Sequence, residues 1–153
     1  MIKRQYEVSY KMLEGILKDV TDQQAEFQLE LANNNIKWQL GHLLLANESF
    51  IFGAQTEANV LGEKLGQFYA PRTSPKDFNG EETSYEELKV ALQDQLERIM
   101  NNIDAQMDNT ESNSIAGMTT FAETIPFGVT HTNYHIGQIK LLKTMITKLD
   151  QGE

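Results

Sequence analysis

Apolar residues recur along this chain with the period of a helix. Ile2, Tyr6, Tyr10, Leu13, Leu17 and Val20 return every three or four positions and predict a first amphipathic helix. Thr21 with Gln24 has the form of a capping box, so a short helical turn is expected before the polar run Asn33-Asn34-Asn35 interrupts the pattern. From Ile36 to about Glu57, Leu40, Leu43, Leu44, Leu45, Phe50, Ile51 and Phe52 spread around much of the circumference, which predicts a central helix with neighbours on several sides. The stretch from Ala58 to Thr83 carries Gly62, Gly66, Pro71, Pro75 and Gly80 and reads as a long connection, of the kind that lines a site or crosses a bundle. Ser84 with Glu87, or Thr83 with Glu86, then opens a third helix whose stripe is Tyr85, Leu88, Leu92, Leu96, Ile99, Ile103 and Met107. After a polar break from Asp108 to Ser114, a last helix is expected from about Ile125 to Lys148, with Pro126 in its first turn. No segment alternates as a strand does. The expected fold class is therefore all-α, a four-helix bundle with a long connection between helices 2 and 3, in one domain spanning residues 1–153.

Composition narrows the partners. The chain has 153 residues, enough to bury a core without staples, and its 22 acidic against 13 basic residues give a net charge of −9 with no basic cluster. Such a charge repels phosphate backbones and anionic lipid surfaces, so neither nucleic acid nor membrane is an expected partner. No run approaches the roughly 18 apolar residues of a membrane span. Residues Met1 to Val20 mix charges among the apolar positions and do not read as a signal peptide, which makes the cytoplasm the expected location. There is no cysteine, so disulfides, thiolate metal sites and a protein thiol nucleophile are excluded, and any metal must be held by His, Asp or Glu.

The candidate chemistry lies in the three histidines. His131 and His135 stand four apart, which on a helix places both imidazoles on one face, able to share a metal. Their stripe continues through Gln138, Leu141, Leu142 and Met145, an expected core face on which buried polar rings need compensation. A pair at this spacing also occurs on surfaces and in hydrogen-bonded cores, so the pair alone leaves the choice open. His42 changes the weighing: it lies midway along the apolar second helix, one turn after Trp38, where facing helices can bring side chains together.

The stretch Trp38-Gln39-Leu40-Gly41-His42-Leu43-Leu44, followed downstream by His131-x-x-x-His135-Ile136-Gly137-Gln138-Ile139, resembles the DinB-like (DinB/YfiT) superfamily of metal-dependent proteins. The resemblance runs over nearly the whole chain in helix count, motif order and the long segment after the second helix. It implies a DinB-like four-helix-bundle domain in which His42, His131 and His135 bind one divalent metal, and it implies a homodimer. Characterised relatives include transferases and isomerases that use low-molecular-weight thiols, so the resemblance points to a small-molecule substrate and to a thiol S-transferase-like activity.

Three imidazoles with an open position suit a catalytic site more than a closed structural one. A water or a small thiol bound there would be acidified, giving either hydrolysis of a carbonyl or phosphoryl centre or thiolate attack on an electrophilic carbon. Zinc or nickel is the expected ion, although imidazole also suits copper and iron. A helical metalloprotease is excluded because Thr132 stands where the general-base glutamate would be. Gln138 is a candidate to hold a bound water or orient a ring, while Trp38 and Tyr134 are candidate pocket walls, although large aromatics at helical spacing are more often plain core. Glu48, six residues beyond His42, is turned about 240° around the helix and is a poor ligand. Acidic pairs such as Glu81-Glu82 and Glu86-Glu87 read as solvated helix starts. The alternatives left open are a metal-dependent hydrolase and a non-catalytic, metal-binding dimeric stress-response or interaction protein.

Overall fold

A computed structural model of the chain describes every residue except 55 and 153. Six helices follow one another among the described residues: α1 (Ile2–Leu17), α2 (Asp22–Glu26), α3 (Ile36–Phe52), α4 (Gly62–Tyr69), α5 (Tyr85–Met107) and α6 (Phe121–Asp150). Between α5 and α6 lies an antiparallel hairpin, β1 (Ser112–Ile115) and β2 (Met118–Thr120). The fold is mostly helical, as the apolar period predicts, and the hairpin corrects the expectation that strands are absent. Its turn residues Ala116 and Gly117 both have positive φ, the turn that matches the twist of a two-stranded ribbon.

Local signals set most of the boundaries. The Thr21/Gln24 and Ser84/Glu87 capping boxes both form. Asn35, the last residue of the polar run, caps α3 by accepting the Trp38 N–H at 2.8 Å. The second helix stops at Phe52, short of the expected Glu57, because Gly53 takes φ 94° and turns the chain away; residue 55, inside the expected span, lies outside the described residues. The long connection is not irregular throughout, since it contains α4 and a single 3₁₀ turn at Pro75–Asp77. The last helix begins at Phe121, four residues ahead of the expected start, with Glu123 accepting from the Thr119 and Thr120 N–H groups. Pro126 accordingly sits in the second turn and not the first, and the carbonyl of Ala122, four residues before it, loses its helical donor.

α3 packs against α2, α4, α5 and α6, and α1 packs against α5 and α6, so α3 is the central element. Its burial nearly all round matches the sequence expectation: Ile36, Leu40, Leu43, Leu44 and Ile51 are fully enclosed. On α6 the inward face is Thr132, His135, Ile136, Ile139, Leu142 and Ile146, whereas Leu141 and Met145, expected on the core face, are exposed.

A polar chain crosses this core. Asn47 donates to Thr132 Oγ1 (2.7 Å) and to the Tyr10 hydroxyl (3.0 Å); Tyr10 donates to Gln95 Oε1 (2.6 Å), and Gln95 donates to Glu48 Oε2 (2.5 Å). Arg98 closes the chain with a two-pronged contact to the Glu48 carboxylate, 2.8 Å on each side. Tyr10, Asn47, Glu48, Gln95 and Thr132 are all fully buried, so each polar atom in the series needs its neighbour. The series fixes α1, α3, α5 and α6 in one relative setting. Lys37, also buried, is held between Glu26 (2.8 Å) and Glu82 (3.0 Å); Glu82 is thus an ion-pair partner and not the solvated residue the acidic run suggests.

Candidate metal centre

His131 and His135 project from adjacent turns of α6, and their Nε2 atoms lie 3.2 Å apart. His42 faces them from α3, with ring centroids 5.4 Å from His131 and 5.0 Å from His135. One ligating nitrogen from each ring lies within 4.8 Å of the others, and no Asp or Glu joins the cluster among the described residues. The convergence of the three histidines, which helical spacing could suggest only for one pair, is a property of the α3–α6 packing.

Two of the rings have their tautomers set from behind. His42 Nδ1 lies 2.8 Å from the Tyr69 carbonyl oxygen, which can only accept, so Nδ1 carries the proton and Nε2 keeps its lone pair. The carbonyl reaches this position because α4 packs hard against α3 at Gly41, where a Cβ would stand 2.3 Å from the Tyr69 ring. His135 Nδ1 donates in the same way to Gln39 Oε1 at 2.5 Å. His131 has no such support: its Nδ1 is buried without a hydrogen-bond partner, and its ring meets those of Phe50, roughly at right angles with centroids 5.3 Å apart, and Phe127, tilted at 6.3 Å.

Burial keeps all three imidazoles neutral. Loss of solvent lowers His42, opposed by its bond to Tyr69. Desolvation, followed by the neighbouring imidazole of His42, brings His131 down to about 4. Desolvation and then the charges of His131 and His42 take His135 to about 3, with Gln138 acting weakly in the opposite sense. Without an ion, the His131 ring, whose tautomer no partner at Nδ1 fixes, can donate Nε2–H to the His135 lone pair at 3.2 Å; with an ion, both Nε2 lone pairs turn to it. That spacing also matches the roughly 3.3 Å that separates two imidazole nitrogens bound tetrahedrally at about 2.0–2.1 Å to one ion. The donor set fits a divalent transition metal held by His42, His131 and His135.

The surrounding residues divide. Trp38 stacks on the His42 ring at 4.8 Å and 8°, while its Nε1 donates to Thr73 Oγ1 at 3.0 Å. Gln138 is close by, with a buried Oε1 that has no partner. Tyr134, 63% exposed, meets the His135 ring edge-on with centroids 5.3 Å apart. Glu48 belongs to the Arg98 pair and not to the histidines, as its helical offset predicts. Gln39, the Tyr69 carbonyl, Phe50 and Phe127 are parts of the site that sequence reasoning missed. Gln39 alone left a signal, standing three residues before His42 and therefore near its face. The other three depend on which elements pack together.

Fold and cluster together define a mostly helical protein with three inward imidazoles able to hold a metal ion. The chain belongs to the DinB superfamily, whose family model matches residues 5–139. That span runs from α1 into α6 and takes in all three histidines and Gln138. Comparison with curated proteins finds no match. No helix among the described residues is long and apolar enough to cross a membrane.

Proposed function

We propose that residues 1–153 form a single four-helix-bundle domain built on α1, α3, α5 and α6, and that it is a metal-dependent enzyme acting on a small molecule. His42, His131 and His135 are the ligands, each through Nε2, and zinc or nickel is the ion. The reading rests above all on the three neutral imidazoles that converge from α3 and α6, two of them with N–H groups tied outward. A divalent ion there would supply Lewis acidity and lower the pKa of a bound thiol or water. Around it, Gln39 and the Tyr69 carbonyl hold two rings in the ligating tautomer, Trp38 excludes water from one side of His42, and Gln138 Oε1 offers an acceptor to a donor on the incoming molecule.

Among reactions, transfer of a low-molecular-weight thiol to an electrophilic carbon is favoured. Among the described residues no carboxylate joins the cluster to serve as a general base, which favours a metal-bound nucleophile, water or thiol, over side-chain acid–base catalysis, and the family resemblance favours the thiol. The protein works in the cytoplasm as a homodimer. The test is elemental analysis of protein from native cells, alongside His42→Ala, and a thiol-conjugation assay with and without chelation. One metal per chain, lost in the variant, with conjugation lost on chelation, is the expected result. Metal-free native protein, or conjugation indifferent to chelation, would defeat the reading.

A further inference from the structure

Lys37 carries an ammonium almost out of reach of water in the first turn of α3. Its side chain is 4% exposed, and its Nζ meets Glu26 at 2.8 Å, Glu82 at 3.0 Å and the face of the Phe78 ring at 5.1 Å. Burial alone would push the ammonium down, but the bonds to the two carboxylates more than reverse this and hold it above the ordinary lysine value. A buried ion pair seldom adds stability over apolar packing of the same volume, so its place in the fold asks for another reason.

The reason lies at the far end of Glu82. Its second oxygen accepts the N–H groups of Asn79 (3.2 Å) and Gly80 (2.8 Å), which fixes the turn just before Thr83. The Thr83 carbonyl, next in the chain, accepts the Tyr69 hydroxyl at 2.7 Å. Tyr69 is fully buried, its ring 5.5 Å from Phe78 and pressed against Gly41, and its own carbonyl accepts from His42 Nδ1 at 2.8 Å. The path from ammonium to imidazole thus runs through Glu82, Thr83 and Tyr69, and every link is an ion pair, a hydrogen bond or the body of one residue. Both ends stand on α3, so what the path fastens is the 69–83 segment laid across that helix. A second tie runs beside it, since Thr73 accepts Trp38 Nε1 at 3.0 Å and Trp38 stacks on the His42 ring. Glu26 pairs with the same ammonium from α2 and lies on no part of the 69–83 segment.

We propose that Lys37 is a positioning residue for the metal centre: through Glu82 it fastens the 69–83 segment to α3 and so keeps the Tyr69 carbonyl on His42 Nδ1, leaving Nε2 free for the ion. The purpose of this arrangement rests on the metal reading above; the coupling of Lys37 to the His42 tautomer does not. A ring released from that carbonyl is free to exchange its proton between its two nitrogens.

Imidazole nitrogen NMR spectra of the metal-free protein, with the His42 signals assigned by their loss in His42→Ala, read the tautomer directly, and zinc competition reads its consequence. Wild type should show His42 with its proton on Nδ1. Lys37→Met, which keeps the buried stem, should give a mixed tautomer and bind zinc about tenfold more weakly. Glu82→Gln should do the same to a lesser degree, and Lys37→Arg, which keeps a cation for both carboxylates, should restore the wild-type spectrum. Glu26→Gln removes a carboxylate from the same ammonium and should leave His42 as it is. So should Lys64→Met, which breaks the exposed pair between Lys64 of α4 and Glu87. An ion pair that serves only the fold gives a different pattern, a lower melting temperature with no change of His42 tautomer. That pattern in folded Lys37→Met and Glu82→Gln would overturn the proposal, as would a change of His42 in Glu26→Gln equal to that in Glu82→Gln. A wild type that binds no zinc would defeat the metal reading, while the spectra would still decide the role of Lys37.

Discussion

Replacing Gln39 by leucine keeps the side-chain volume of a residue buried in α3 and deletes the acceptor that holds His135 Nδ1–H at 2.5 Å. Left alone, that buried N–H costs about 1–3 kcal/mol. The ring has an escape: moving its proton to Nε2 lets it donate to His131 Nε2, 3.2 Å away, but Nε2 then presents a hydrogen where a metal needs a lone pair. Metal binding must reverse that tautomer and leave the N–H buried without a partner, now polarised by the ion. Loss of such an orienting group typically weakens metal affinity by about 10–100-fold, or roughly 1.4–2.7 kcal/mol. Zinc competition against a chromophoric chelator at neutral pH measures the change, and thermal melts of the metal-free protein show separately whether the fold has suffered. Gln39→Leu should bind zinc at least about tenfold more weakly while its metal-free melting temperature moves little. Affinity within about twofold of wild type would refute the reasoning, since it would mean that His135 needs no fixed tautomer.

Three further outcomes follow from the same geometry. Arg98→Ala should destabilise the protein by about 3–5 kcal/mol in denaturant titrations, because it strands the fully buried Glu48 carboxylate; a loss below about 1 kcal/mol would show that Gln95 and the Val60 N–H suffice. Gly41→Ala should cost about 1–3 kcal/mol and weaken zinc binding together with it, because the new methyl drives back the Tyr69 ring whose carbonyl orients His42. The metal-free protein should lose stability in acid: His131 and His135 titrate near 4 and 3 when folded against about 6.5 when unfolded, so below that pH the unfolded chain binds more protons. Their contribution is fully present above about pH 6.5 and fades as pH falls toward 4 and then 3, and a double His131→Phe/His135→Phe variant should show a flatter melting profile over that window.

Local chemistry wrote much of this protein into its sequence. Apolar spacing and the capping residues Thr21, Asn35 and Ser84 determined where α1, α2, α3 and α5 lie, because a helix is built from contacts three and four residues apart. The same short range placed His131 and His135 on one face and turned Glu48 away from His42. Where two local rules competed, spacing alone misled. Pro126 suggested a helix start that the Glu123 contacts set earlier, and the Ala116-Gly117 turn hid a hairpin because alanine is not a usual turn signal. Tertiary packing decided the rest. Leu142 and Leu141 are neighbours 100° apart on α6, and only the placement of the helices packed against α6 made one of them core and the other surface. Likewise the meeting of His42 with the α6 pair, the support from Gln39 and the Tyr69 carbonyl, and the Asn47–Thr132 tie join residues distant in the chain. Their contacts depend on how helices cross, and that is set by the summed fit of many side chains and by no motif of consecutive residues.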